Sequence, residues 1–508
     1  MDPGGGSGDV YTVPHRHSRP SNPFSLHTTR SETWSQTIQG ISGLDSNLVT
    51  LRRWYGPCFP KTSKDVSDLE MMNKYVSISM PRAGCAVSGW NGHSMATDEQ
   101  DIRDHIEPLS FDGVNVSMAA EETRLEVAAT RKIRYSVVHP SKYVLDRDNP
   151  TIRNVMAKRL VLVVVDRRVD DLYGTDLRTY FEQETNLLGY LVIDGSENTK
   201  SWSPVHKICD AAIDIQLPRD GVMAAVGGGV TLDITGFAAS IFRRGIHFVR
   251  IPTSLIGLID VGVGIKHGIN VGGKKSIVGS FYPPMANIND PTFLRTLPQR
   301  HVACGVAEIV KMAVVRDADL FGLVERHVSD FVAQRFQNSS VAQDVHIRSE
   351  HLMMQELQPN LFESELRRLP DFGHTFSPAI EIASRWSINH GEAVAMDMLI
   401  STAIALNKGL CSETTFERLR NVVHRAGLAM THEVCRPVVL MKGLQAARQH
   451  RSGNLNLVVP LEIGKADFIQ DVTFDEIEQA LALLGGELEH VCTAGRSWRN
   501  TSQARNVA

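Results

Sequence analysis

From Lys132 onward, short apolar runs alternate with polar stretches long enough to be helices. "KIRYSVV" reads as a strand, "RLVLVVVD" as a second, buried strand and "GYLVID" as a third, while "GVMAAVGGGVTLDITGFAAS" reads as strand, glycine turn and helix. Runs this rich in Val, Leu and Ile suit strands covered on both faces, and their alternation with helical stretches predicts a parallel sheet with crossover helices, an α/β nucleotide-binding half. After about residue 298 the strands fade. "RHVACGVAEIVKMAVV", "EAVAMDMLISTAIALNKG" and "TFERLRNVVHRAG" carry helical periodicity with glycines at their ends and predict a mainly α-helical second half.

The flanks lack such periodicity. Residues 1 to about 60 begin "MDPGGGSGDVYTVPHRHSRPSNPF" and cannot bury enough apolar surface to offset the entropy of ordering; residues 60–130 show no motif and no repeat. The expected division is an N-terminal extension over 1–130, largely disordered, an α/β domain over 131–297, an α-helical domain over 298–487 and a loose polar tail over 488–508.

Length and charge narrow the class. A chain of 508 residues with 42% apolar and 22% charged positions is long enough for two or three packed units, and a net charge of -4 gives no broad electrostatic attraction for nucleic acid or an anionic membrane. Seven cysteines without CxxC spacing argue against a disulfide framework or zinc ribbon. The longest strongly apolar run, "LVLVVV", is strand-sized, and the N-terminus has no secretory apolar core, so a cytoplasmic protein is expected, although residues 14–35 share the His-, Arg- and Ser-rich, acid-poor composition of an organellar transit segment.

The candidate chemistry lies in five segments. "VGGGVTLD" sets Gly227, Gly228 and Gly229 between strand and helix, where backbone N–H groups can approach a pyrophosphate, though a tight turn needs glycine anyway. Asp166 closes "LVLVVVD" at a strand's carboxyl end, a position for ribose hydroxyls or for a plain N-cap. In "IPTSLIGLIDVGVGIKHGINVGGKKSIVGSFYPP", Asp260 and Lys266 sit among apolar and glycine residues and either pair with each other or face a ligand; Lys274 and Lys275 stand in a glycine-flanked loop suited to a phosphate. "GVAEIVKMAVV" puts Glu308 and Lys311 at i and i+3 on an otherwise apolar helix, as an ion pair or as a metal ligand beside a substrate-binding ammonium. "DFGHTFSP" and "SINHGEAVAMDM" add His374 and His390; two imidazoles and one carboxylate are a common catalytic zinc set, while either histidine alone could be a hydrogen-bonded core residue.

Taken in order, the segments at 227–237, 243–284, 296–315 and 367–398 resemble the sugar phosphate cyclases of the dehydroquinate synthase superfamily, over about residues 131 to 486. The resemblance implies an N-terminal Rossmann-like α/β domain followed by an α-helical metal-binding domain, a homodimer, and NAD with a divalent metal, zinc or else cobalt, in the cleft. It assigns Glu308, His374 and His390 to the metal; Asp166, Glu197, Lys200, Gly228, Gly229, Asp233, Thr253, Ser254 and Thr296 to NAD; Asp260, Lys266, Asn270, Lys275, Lys311 and Arg367 to catalysis and the substrate; and Arg244 to a phosphate in the neighbouring subunit.

Departures from dehydroquinate synthase point to another substrate. That enzyme has a second histidine four residues after the first metal ligand, where this chain has Pro378, and it has asparagines where this chain has Ser276 and Asp371. Residues one turn apart share a helix face, so a lost imidazole changes the same site. "GHTFSP", "GLIDVGVGIKHGIN" and "HGEAVAMDM" are most similar to the 2-epi-5-epi-valiolone synthases, which cyclise the sugar phosphate sedoheptulose 7-phosphate; Phe376, Gly262 and Gly264 lean away from the desmethyl-4-deoxygadusol synthases. Ser276 departs from the Lys-Asn of many valiolone synthases. A metal-dependent polyol dehydrogenase, sharing NAD, metal and domain order, is the reading of another class, and the lysine-rich loop and Arg244 speak against it; a non-catalytic paralogue is a further one.

Overall fold

A computed structural model describes residues 132–337 and 339–485, together with the backbone of strands β1 (Val10–Thr12), β2 (Ser110–Ala119) and β3 (Glu122–Thr130). These three strands fall in the stretch expected to be disordered; the rest of that stretch and the tail lie outside the described residues. Along the chain follow β4 (Ser136–Val138), α1 (Thr151–Met156), β5 (Leu160–Asp166), α2 (Arg167–Glu184), β6 (Asn186–Ile193), α3 (Trp202–Asp214), β7 (Val222–Gly227), α4 (Gly229–Ile241) and β8 (His247–Pro252). The hairpin β9 (Lys266–Val271) and β10 (Lys274–Phe281) comes next, then β11 (Ala286–Ile288).

The sheet runs in the order β1-β6-β5-β7-β8-β11-β4, parallel except for β1, which pairs antiparallel with the β6 edge. Val161 to Val165 and Val222 to Val226 are buried throughout, as a sheet covered on both faces requires. Arg250 of β8 is fully buried in the same region. Its Nη1 donates to the Val261 and Gly264 carbonyls at 2.7 Å each, stapling the glycine-rich loop after Asp260 to the sheet.

The second half holds α5 (Gln299–Arg316), α6 (Ala318–Gln334), α7 (Ser340–Leu357), α8 (Ser377–Ala383), α9 (His390–Asn407), α10 (Glu413–Arg425), α11 (Pro437–His450) and α12 (Phe474–Gly485). Helix α9 is buried on every face from Ala393 to Ala405 and packs on α5, so the pair forms the centre of the helical core. Each fully buried Leu, Ile, Val or Met there stabilises by roughly 1.5–3 kcal/mol. The expectation that strands end near residue 298 is corrected by the hairpin β12 (Leu457–Glu462) and β13 (Lys465–Ile469), a short β-branched run, turn and return packed on α9 and α5. Among the described residues no helix is long and apolar enough to cross a membrane, and the four described cysteines are unbridged.

Candidate active site

Two close approaches bring a carboxylate and two imidazoles together. Helix α9 begins at His390 behind a capping box in which Asn389 N donates to Glu392 at 2.8 Å. At its second residue, Gly391, a Cβ would stand 2.3 Å from the Cys304 carbonyl oxygen, so only glycine lets α9 rest on α5 there. Cys304 is one turn before Glu308, and this contact therefore sets His390 beside the Glu308 carboxylate. His374 follows Gly373, whose φ of +75° suits glycine and whose Cβ would meet Met398 and Val394 of α9 at 2.9 Å.

The resulting geometry is that of a metal-ligand set. His390 Nε2 lies 3.3 Å and His374 Nε2 3.8 Å from Glu308 Oε1, and the donor atoms of the three residues all lie within 4.8 Å of one another. The rings meet edge to face with centroids 5.2 Å apart. Donors about 2.0–2.1 Å from a tetrahedral ion stand roughly 3.3 Å apart, which these spacings approach. His374 Nδ1 donates to the Phe372 carbonyl at 3.0 Å, and His390 Nδ1 lies 3.0 Å from Glu381 Oε1; each ring thus turns Nε2 toward Glu308. About a quarter of each histidine side chain is exposed, while Glu308 is buried.

Electrostatics treat the three ligands differently. Lys311 Nζ stands 2.6 Å from Glu308 Oε2, yet neither Glu308 oxygen takes a well-formed hydrogen bond, leaving acceptor capacity for an ion. Burial opposes the Glu308 charge, but Lys311 and the two imidazoles hold it ionised, well below the usual carboxylate range. Burial also opposes charge on Lys311; Glu308 and Asp260 overcome it and raise its pKa. Burial and Lys311 push His374 down to about 4, keeping a neutral lone pair. For His390, burial and Lys275 oppose the charged ring, and the Glu381 and Glu308 carboxylates outweigh them, raising it to about 9.

Glu381 was not singled out from the sequence. It lies on α8, accepts from Lys275 Nζ with both oxygens at 2.8 and 2.7 Å, and so joins β10 of the sheet half to His390 of the helical half. Lys275 Nζ is also 3.1 Å from His390 Nδ1. Helix α8 opens with Pro378 in its first turn, where proline costs no hydrogen bond, and Asp397 of α9 accepts from the Phe376 and Ser377 amides at 2.5 and 2.8 Å to cap it. The signal for both acids was their place in the apolar runs "PAIEIA" and "AVAMDML", since a buried carboxylate needs a partner.

The remaining predicted residues divide into three groups. Gly228 caps α4 with no side chain, and a Cβ there would meet only Ser254 at 3.5 Å, so the first N–H groups of this 13-residue helix are open to an anion. Thr253 N donates to Gly227 O at 2.9 Å, Ser254 Oγ accepts from Gly257 N at 3.2 Å, and Thr296 Oγ1 is 2.8 Å from Tyr173. Asp166 is an N-cap of α2, accepting from Arg168 and Val169. Lys200 pairs with Asp233 at 2.6 Å, and Asn270, grouped by the resemblance with the substrate, instead donates to Glu197 at 2.8 Å and accepts from Ser276 N. Its place in the β9–β10 hairpin faces the Glu197–Thr199 turn, which explains the shift.

Asp260 sits in the five-residue π-helical turn Gly257–Val261, close enough to raise the pKa of Lys311. Lys266 does not pair with Asp260; its ammonium meets Glu363 at 2.8 Å and is more than half exposed. Arg367 stays outside the cluster, because Asp467 at 3.2 Å and the Phe468 ring at 4.5 Å, both on β13, offer it a carboxylate and a π face. Asp371 binds Arg451 at 2.7 Å and also Arg368. Arg244 is exposed in the Phe242–Arg244 turn that follows α4, with a left-handed φ of 64°.

Comparison with known proteins adds family, sequence and structural relations. Residues 190–304 match the 3-dehydroquinate synthase N-terminal family and residues 305–449 the 3-dehydroquinate synthase C-terminal family. The chain is 42% identical over 350 residues to a 2-epi-5-epi-valiolone synthase of Streptomyces glaucescens, covering 68% of this chain and 90% of that protein. It is 32% identical over 389 residues to a demethyl-4-deoxygadusol synthase of Trichormus variabilis, covering 75% of this chain and 94% of that one. Among solved structures it resembles a 2-epi-5-epi-valiolone synthase of Streptomyces hygroscopicus subsp. jinggangensis with NAD+ and Zn2+ bound, with a TM-score of 0.69, 40% identity, 71% of this chain and 99% of that chain.

Proposed function

Because the chain belongs to the 3-dehydroquinate synthase family of sugar phosphate cyclases, we propose that it converts sedoheptulose 7-phosphate to 2-epi-5-epi-valiolone and phosphate, using NAD and a divalent metal such as zinc. The observation that carries this reading is the Glu308, His374 and His390 cluster, with unfilled acceptors on Glu308, in a chain that also holds an uncapped glycine turn at Gly228. The relatives of about 40% identity bear the valiolone synthase name, and one was solved with both cofactors. Glu308, His374 and His390 would hold the metal; Gly228, Gly229, Thr253, Ser254, Asp166 and Thr296 would line the dinucleotide.

When bound, the nicotinamide supplies a reversible hydride acceptor and the metal a Lewis acid for an alcohol oxygen. The chain's residues do the positioning. Lys311, fixed and charged at 2.6 Å from Glu308, donates hydrogen bonds to substrate oxygens without giving up its proton. Lys275 and Lys266, at the two ends of the β9–β10 hairpin, act as point charges for the phosphate and its developing charge on departure. Elimination of phosphate needs a base, and an oxygen of the departing phosphate can take the proton from the acidic C–H. The product is the substrate less the elements of phosphoric acid, so the hydride taken at the start is returned and NADH does not accumulate.

Homodimer assembly and a cytoplasmic location complete the proposal; in a dimer, the exposed Arg244 would serve the neighbouring subunit's phosphate. The test is product identity. Purified protein with sedoheptulose 7-phosphate, NAD and Zn2+ yields a saturated cyclic ketone by mass and NMR; an ultraviolet-absorbing enone would instead assign the gadusol-type reaction, and no cyclitol would overturn the proposal.

A further inference from the structure

Another pair of imidazoles meets a carboxylate on the far edge of the sheet. His139 follows β4 at its carboxyl end, and His346 and Glu350 lie one turn apart on α7. His139 Nε2 is 2.8 Å from Glu350 Oε2, and His346 Nε2 is 2.7 Å from Glu350 Oε1. The donor atoms of the three residues fall within 4.8 Å of one another, and the two rings meet edge to face with centroids 5.6 Å apart. His346 is 3% exposed, and its Nε2 makes no hydrogen bond despite the nearby carboxylate, which lies off the direction of a ring N–H.

The surroundings fix the carboxylate as a ligand's outer partners do. Asn289, fully buried after β11, donates to Glu350 Oε1 at 2.6 Å and to Leu258 O at 3.1 Å, and its own amide N donates to Val138 O at 2.8 Å. His139 leaves about a third of its side chain in solvent, which gives an ion an entry path. We propose that His139, His346 and Glu350 form a second divalent-cation site of zinc type, which clamps α7 to the edge of the sheet. Two nitrogens and one oxygen suit zinc, with water completing the fourth position. The donors must open by roughly 0.5 Å to surround the ion, and exposed His139 has the freedom to do so.

Metal stoichiometry tests the site without reference to activity. The full-length protein is stripped with chelator, dialysed against Zn2+ and measured by elemental mass spectrometry. Wild type is expected to hold two zinc ions per chain, His139→Ala one, Glu308→Gln one, and the double variant none. His139 is chosen because it is exposed, so its loss spares the fold, whereas His346→Ala would hollow the interior. In Glu308→Gln, Zn2+ at a hundredfold excess over its Kd should raise the melting midpoint by roughly 2–4 °C, and the added His139→Ala change should abolish that rise. A single zinc ion in wild type, unchanged in His139→Ala and lost in Glu308→Gln, would overturn the proposal.

Discussion

The two clusters use the same donors and differ in what stands around them. In the Glu308 cluster, the carboxylate is spread 3.3 and 3.8 Å from its imidazoles and carries an ammonium at 2.6 Å, with Glu381, Lys275 and Asp260 nearby. At the sheet edge, Glu350 Oε2 and Oε1 lie 2.8 and 2.7 Å from the His139 and His346 Nε2 atoms, and against the cost of burial those two histidines hold its pKa down to about 2. The lesson is that ligand identity alone does not separate a reaction centre from a clamp. The cationic neighbours do, since ammonium groups beside the ligands suit a substrate that bears phosphate and developing charge.

The largest effect that could break this comparison comes from the cleft. Glu308→Gln should lower turnover by roughly 10³-fold, about 4 kcal/mol, while His139→Ala leaves turnover within about twofold at saturating zinc. Initial rates of phosphate release decide it; equal losses in both variants would erase the distinction.

Next in size is Asp397, which braces the helix carrying Glu381. Burial, outweighing the amides of Ser377 and Phe376 and the Ser401 hydroxyl, raises its pKa to about 6, against roughly 3.9 unfolded. The native state then holds a proton that the unfolded chain has lost between these values. Stability should therefore fall as pH rises from 4 to 6, by about 3 kcal/mol from this group, and be flat above. In Asp397→Asn that fall should vanish from denaturant titrations; an unaltered slope would contradict the assignment.

Glu381→Gln removes the anion behind His390 and should weaken zinc at the cleft 10- to 100-fold while leaving the sheet-edge ion in place. Competition with a chromophoric chelator measures both. The smallest effect is on the exposed Lys266–Glu363 pair: Lys266→Ala should change stability by less than about 1 kcal/mol, while raising KM if its ammonium serves the phosphate.

Much of the architecture was legible because apolar runs report burial directly. "LVLVVVD" became β5, "GVMAAVGGGV" became β7 and the turn into α4, and the all-apolar stretches around Glu308 and after His390 became the two central helices. The β12–β13 hairpin was missed, because a strand pair inside a helical half leaves only a short apolar signal; the β9–β10 hairpin was read as a loop, because its Gly272-Gly273 turn dominates the sequence. In the cleft, types and order pointed to Glu308, His374 and His390. Glu381 stayed hidden, since its partners Lys275 and His390 meet it only in three dimensions, and Arg367 and Asn270 were drawn elsewhere by Asp467 and Glu197. His346 and Glu350 stand one helical turn apart in sequence, yet His139 is brought to them only by the pairing of β4 with β11.

The most direct test follows phosphate and NADH together in one reaction of sedoheptulose 7-phosphate with enzyme, NAD and Zn2+. One phosphate per cyclitol formed, with absorbance at the NADH band returning to baseline, is the predicted result. Continuous growth of that band without phosphate release would contradict the account and make the protein a dehydrogenase.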